Sequence, residues 1–199
     1  MRSPQRLLIR VTVVSVATVF PCIAFAASSA GLTLSLQPGG IRNRATPITH
    51  ARFEVLNVQV KELTADVRSL WLILEGKNRK GLSIAREPVK NIVKHLEIRN
   101  LVTGSTVDAV SQISGTTWQA YEVKDVVMKS GDAWHVRADV SGNKLVDMLR
   151  LTVCTRTMAM CDAVMELKAN DLTSGDLLPV EPAVPLQGRW QIFRSKSKK

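Results

Sequence analysis

A chain of 199 residues with a formal net charge of +10 and three cysteines suits one domain with its own hydrophobic core, not several. A balance this basic favours anionic neighbours, from membrane headgroups and cell-wall polymers to an acidic protein surface or nucleic acid. Beyond the N-terminus no apolar stretch approaches the ~20 residues that a helix needs to span a bilayer, so no transmembrane helix is expected in the mature chain.

The N-terminus has the three parts of a secretory signal. Arg2, Arg6 and Arg10 make a positive region, Val11 to Ile23 is nearly all apolar, and Ala24-Phe25-Ala26 places small residues where a signal peptidase reads them. Residues 1–26 are therefore expected to be removed before Ala27. The apolar run is too short to span a bilayer. Arg10 interrupts any longer helix, which weighs against the rival reading of an uncleaved anchor. Phe20-Pro21 before Cys22 are not the small residues of a lipoprotein site. Three arginines leave with the signal, so 24 basic residues face 17 acidic ones, a mature charge of +7. A periplasmic or secreted location follows, where nucleic acid is no partner and a cysteine pair tends to oxidise.

The mature chain reads as short strands. Gly31 to Gln37 alternates apolar and polar and ends at Pro38-Gly39-Gly40. Residues 41–50 form a basic loop. In the next strand, Phe53 to Val60, the apolar phase slips between Leu56 and Asn57, as one bulged residue would make it do. Val67 to Leu74 is apolar on both faces and reads as a central strand, followed by a basic turn from Gly76 to Gly81. A helical turn after Pro88 leads into a strand from His95 to Val102. Val107 to Ile113 and Trp118 to Met128 follow. Trp134, Val136, Ala138 and Val140 alternate with His135, Arg137 and Asp139, the clearest strand in the chain. Leu145, Leu149, Leu151 and Val153 make the next core face. After Lys168 the chain turns to loop, closing with a short strand from Arg189 to Phe193. The expected fold is all-β, an antiparallel β-sandwich of the immunoglobulin-like kind over 27–193, with a disordered basic tail over 194–199.

Cys154 and Cys161 close a loop between two apolar runs, Leu145 to Val153 and Ala163 to Leu167. One reading is a hairpin tied by a disulfide, worth about 2.5 kcal/mol in the chain-entropy model. The other is a copper(I) site in which Cys154, Met158, Met160 and Cys161 supply soft sulfur ligands, with Met148 and Met165 nearby. Against it, methionine is a common core filler. The Cys-x-x-Cys redox spacing is absent.

No Gly-x-Ser-x-Gly motif and no phosphate-cradling glycine loop occurs. His50, His95 and His135 have no zinc-like spacing to one another or to a cysteine, and His135 reads as part of a solvated sheet face. Trp71, Trp118 and Trp134 are expected to fill the core between sheets. Trp190 stands apart as a candidate anchor for a partner, alongside Arg194, Lys196, Lys198 and Lys199 of the tail. The strand from Gly131 to Val140 resembles the Gly…Trp-x-Val strand of small exported immunoglobulin-like domains, some of them linked to copper handling, and no site is carried across from them. The expectation is a non-catalytic binding or assembly factor of the cell envelope, not an enzyme, without a cofactor. Its partner would be an envelope protein or an anionic cell-surface component. The alternative is a copper(I)-binding or copper-delivery protein.

Overall fold

The computed structural model describes residues 31–37, 51–60, 63–77, 89–140, 148–157 and 160–192. The signal segment, the loop with His50, the tip after Lys77, Pro88, Leu145, Met158 and the basic tail lie outside the described residues. In chain order the strands are β1 (Leu32–Gln37), β2 (Ala51–Val60), β3 (Thr64–Lys77), β4 (Val93–Asn100), β5 (Thr106–Asp108), β6 (Val110–Ser114), β7 (Trp118–Lys129), β8 (Ala133–Val140), β9 (Met148–Val153) and β10 (Lys168–Asp171). Four two-residue strands follow: β11 (Leu177–Leu178), β12 (Val180–Glu181), β13 (Leu186–Gln187) and β14 (Gln191–Ile192). One helical turn, α1 (Val89–Ile92), precedes β4.

Two sheets pack face to face. One runs β12-β1-β2-β8-β4-β5, the other β11-β10-β3-β7-β6, with β9 joined to β3 and carrying β13 and β14. Apart from the parallel β1–β12 contact, every pairing is antiparallel. The all-β sandwich is therefore as expected. Its core follows from strict alternation, since residues two apart share a sheet face. Trp134, Val136, Ala138 and Val140 of β8 meet Leu96 and Ile98 of β4, Leu56, Val58 and Val60 of β2, and Leu70, Leu72 and Leu74 of β3 in one cluster.

Several local expectations need correcting. The irregularity of β2 against β8 lies between Arg52 and Val55, ahead of Leu56–Asn57. Val107 to Ile113 is not one strand: β5 belongs to the first sheet and β6 to the second. The chain crosses at Ala109, whose N–H donates to the Leu96 carbonyl at 2.8 Å. A period of two records which face a residue takes, not which sheet it joins. Asn170 and Asp171 lie in β10, paired to β3, rather than in a loop. The next turn is closed by Asp171, whose Oδ1 accepts from the N–H groups of Thr173 and Ser174, both at 2.7 Å. Those donors, Ser174 foremost, hold its carboxyl below the usual carboxylate range.

Candidate functional site

Cys154 and Cys161 form a disulfide, with Cα atoms 5.5 Å apart. The expected hairpin around it is not formed. After Cys161 the chain makes a 3-10 turn over Ala163–Met165, capped by Asp162 Oδ1, which accepts from Val164 N and Met165 N at 3.2 Å. The loop lies over the outer face of the second sheet. There Trp71 and Ile73 of β3, Ala120 of β7, Cys154, Cys161 and Met165 make a satellite core, flanked by Trp118 and Met160. Trp71 and Trp118 thus cover this outer face, and of the three tryptophans only Trp134 enters the main core. The both-sided apolar character of β3 has its cause here: Leu70, Leu72 and Leu74 face the sandwich, and Trp71 and Ile73 face the disulfide loop. Met160 and Met165 are packing groups. With both cysteine sulfurs in the bond no thiolate remains for copper(I), and the copper alternative is not carried further.

Trp190 is clasped by two cations. Lys77 Nζ lies 3.9 Å from its ring centroid and Arg150 Cζ 4.6 Å from it. Arg150 is itself fixed by Glu75, its Nε and terminal nitrogen donating to Oε2 at 2.7 and 2.6 Å. Glu75 and Arg150 are cross-strand partners in β3–β9, so the ring closes over a charged pair and ties the chain before β14 to the sheet. Arg194, Lys196, Lys198 and Lys199 lie outside the described residues.

The strongest chemical grouping stands on the outer face of the first sheet. Because Leu96 and Ile98 are drawn into the core, His95, Glu97 and Arg99 of β4 must face out. The same alternation turns Arg137 and Asp139 of β8 outward. Antiparallel register then sets His95 opposite Asp139 and Glu97 opposite Arg137, while β5 sets Asp108 opposite Glu97. That last pairing depends on the β4–β5 turn. Asn100, buried, accepts through Oδ1 from Val102 N at 2.8 Å and Thr103 N at 3.1 Å, and Gly104 takes φ +78° to bring the chain back.

In the resulting cluster His95 Nε2 and Asp108 Oδ1 are 3.0 Å apart. His95 Nδ1 lies 3.9 Å from Asp139 Oδ2, and Arg137 meets Glu97 Oε1 at 3.1 Å. His95, Glu97, Arg137 and Asp139 line a hollow of about 210 Å³. One nitrogen of His95 and one oxygen each of Glu97 and Asp108 all lie within 4.8 Å of one another. Three carboxylates against one guanidinium leave this spot net negative on a basic protein.

The sequence expectation missed this site. It placed His135 on a solvated face, where it stands opposite Arg99 rather than in the cluster. The available signal was the alternation of His95 with Glu97 and of Arg137 with Asp139, two polar faces carrying complementary charges. What brings them together is a strand pairing across some forty residues of chain.

No family model matches the chain, and no curated protein matches it. Among solved structures the chain is similar to one described as "AvmM Catalyzes Macrocyclization in Alchivemycin A Biosynthesis", at 10% identity and a TM-score of 0.40 over 85% of this chain and 93% of that one. The expectation of a non-catalytic factor, not an enzyme, finds no support in this likeness, since that neighbour is described as a catalyst. A likeness of this size assigns neither fold nor reaction to this chain.

Proposed function

We propose that the protein is an extracytoplasmic, metal-dependent enzyme whose centre is His95, Glu97 and Asp108. The observation that carries this reading is the convergence of three ligand atoms within 4.8 Å. Three protein ligands with further positions open to water and substrate are the pattern of a catalytic zinc site, and the hollow beside them gives a polar substrate room. Bonds of about 2.0 Å in a tetrahedral site put ligand atoms roughly 3.3 Å apart, so Glu97, on a flexible stem, has to swing inward. One imidazole and two carboxylates suit Zn²⁺ better than Ca²⁺ or Mg²⁺, which prefer oxygen alone. Asp139 stands on the Nδ1 side of His95, where a carboxylate favours the tautomer that leaves Nε2 its lone pair. The bound ion would supply an activated water or polarise a carbonyl, and the reaction class is hydrolysis of a polar substrate.

The disulfide and the signal-like N-terminus support a location outside the cytosol, with cleavage before Ala27 and one domain over 27–193. The basic surface supports an anionic neighbour at the cell surface. An immunoglobulin-like assignment is supported by the order β1-β2-β8-β4, and by β9 lying between β3 and the C-terminal strands. The β6–β7 hairpin, added between β5 and β8, is a departure from that pattern.

Calorimetric titration of the purified mature protein with ZnCl₂ tests the reading. One site per chain is expected, with affinity reduced in Glu97→Gln and Asp108→Asn by more than the roughly 10–100-fold that loss of an outer-shell partner causes. No heat of binding, or binding unchanged in both variants, overturns it.

A further inference from the structure

We propose that the hollow binds its metal ion and an anionic group of the substrate in that order, with Glu97 as the residue that couples them. The inference rests on the metal reading above and names the substrate class it serves.

The coupling follows from two demands on one carboxylate. Glu97 Oε1 holds Arg137 at 3.1 Å, and Glu97 is also one of the three converging ligands. It is the more enclosed of the pair, with side-chain exposure of 18% against 39% for Arg137. Without a cation, Glu97 pairs with Arg137, while Asp108 opposite Glu97 and Asp139 two residues along β8 add to the negative field at the hollow, and an incoming anion is repelled. A dication bound by His95, Glu97 and Asp108 neutralises that field and draws on the same charge that holds Arg137. The guanidinium then has donors to offer at the rim of the hollow. Its planar fork matches the paired oxygens of a carboxylate or a phosphoryl group better than a lysine would. The substrate class is therefore a small polar molecule bearing an oxyanion beside the bond that is cleaved.

Coupling of this kind is reciprocal, so the anion must tighten the metal by the same factor. The experiment titrates the mature protein with benzoate and, separately, with phenylphosphonate, each with and without saturating Zn²⁺. The expected result is a gain of about tenfold in affinity for at least one probe when Zn²⁺ is present, within the usual range of such couplings. The preferred probe identifies the oxyanion. Arg137→Gln should abolish the gain without weakening the binding of Zn²⁺ alone, because it frees Glu97 from its ion pair. If Zn²⁺ binds but neither probe gains, or if Arg137→Gln keeps the gain, the inference is overturned and the metal site stands. If Zn²⁺ does not bind, both readings fall.

Discussion

Arg68 and Asp125 both fall between the β3–β7 ladder pairs Val67↔Val126 and Ser69↔Lys124, where both strands exchange faces. Ala65 and Val67 face the core on one side of this point, and Leu70, Leu72 and Leu74 on the other. On β7, Tyr121 and Val123 give way to Val126 and Met128. Because the two strands switch together, the β3–β7 pairing keeps one continuous core face. Asp125 takes φ +54° to make the switch.

That backbone sits in the left-handed region, which a residue with a Cβ occupies at about 1–2 kcal/mol. Asp125 is exposed, so packing does not confuse the test. Asp125→Gly is expected to raise stability by up to about 1 kcal/mol, and Asp125→Val to lower it by more than that. Urea midpoints of the two variants check the prediction, and a valine variant as stable as the glycine one would refute it.

The disulfide closes a ring between residues 7 apart. Replacing both Cys154 and Cys161 by Ala should lower stability by about 2.5 kcal/mol through the unfolded chain alone. The loop that shelters Trp71 and Ile73 loosens as well, so the measured loss should not fall short of that figure. Denaturant unfolding followed by tryptophan fluorescence gives the number. A loss below about 0.5 kcal/mol would mean that the loop is held without the bond.

Tyr121 is the one tyrosine of the chain, which makes its titration directly visible. Burial raises its phenol above the ordinary value of 10.0, and its hydroxyl has no hydrogen-bond partner among the described residues. Above pH 10 the unfolded chain loses this proton while the folded one keeps it. Stability is thus full below about pH 10 and declines as the pH rises beyond it. Absorbance near 295 nm should stay flat through pH 10–11 and rise only with unfolding. Tyr121→Phe should be neutral or stabilising by up to about 1 kcal/mol, because it removes a buried unpaired hydroxyl. Ionisation of the folded protein at its ordinary value would contradict both statements.

Asn100 touches none of the proposed ligands, yet it closes the turn that sets Asp108 opposite Glu97. Asn100→Ala should lower stability by about 1–2 kcal/mol, since two turn N–H groups lose their acceptor. It should also weaken Zn²⁺ binding, whereas Thr103→Ala, in the same turn, should do so far less. Equal metal affinity in Asn100→Ala and the parent would detach the turn from the site.

How much of this was legible beforehand depended on range. β8 could be read residue by residue, because Trp134, Val136, Ala138 and Val140 alternate without a break. β3 announced its central place through Leu70 to Leu74, apolar on both faces. The disulfide followed from two cysteines and the expected compartment. The crossing at Ala109 was read through because Val107 to Ile113 is short enough for one strand, although adjacent apolar Ala109 and Val110 break the alternation there. The two-residue strands β11 to β13 carry too little pattern to register, whereas β14 falls within the strand expected from Arg189 to Phe193. The cluster was hidden for a third reason. His95, Asp108 and Asp139 are ordinary polar positions on three strands, and only the β4–β8 and β4–β5 registers make them neighbours.

The most direct test of the metal centre is crystallographic. Crystals of the mature protein grown with ZnCl₂ and measured at the zinc absorption edge should show one anomalous peak per chain. It should lie about 2.0–2.2 Å from His95 Nε2 and from the carboxylate oxygens of Glu97 and Asp108. Zinc density only elsewhere, with His95 still hydrogen-bonded to Asp108, would contradict the account.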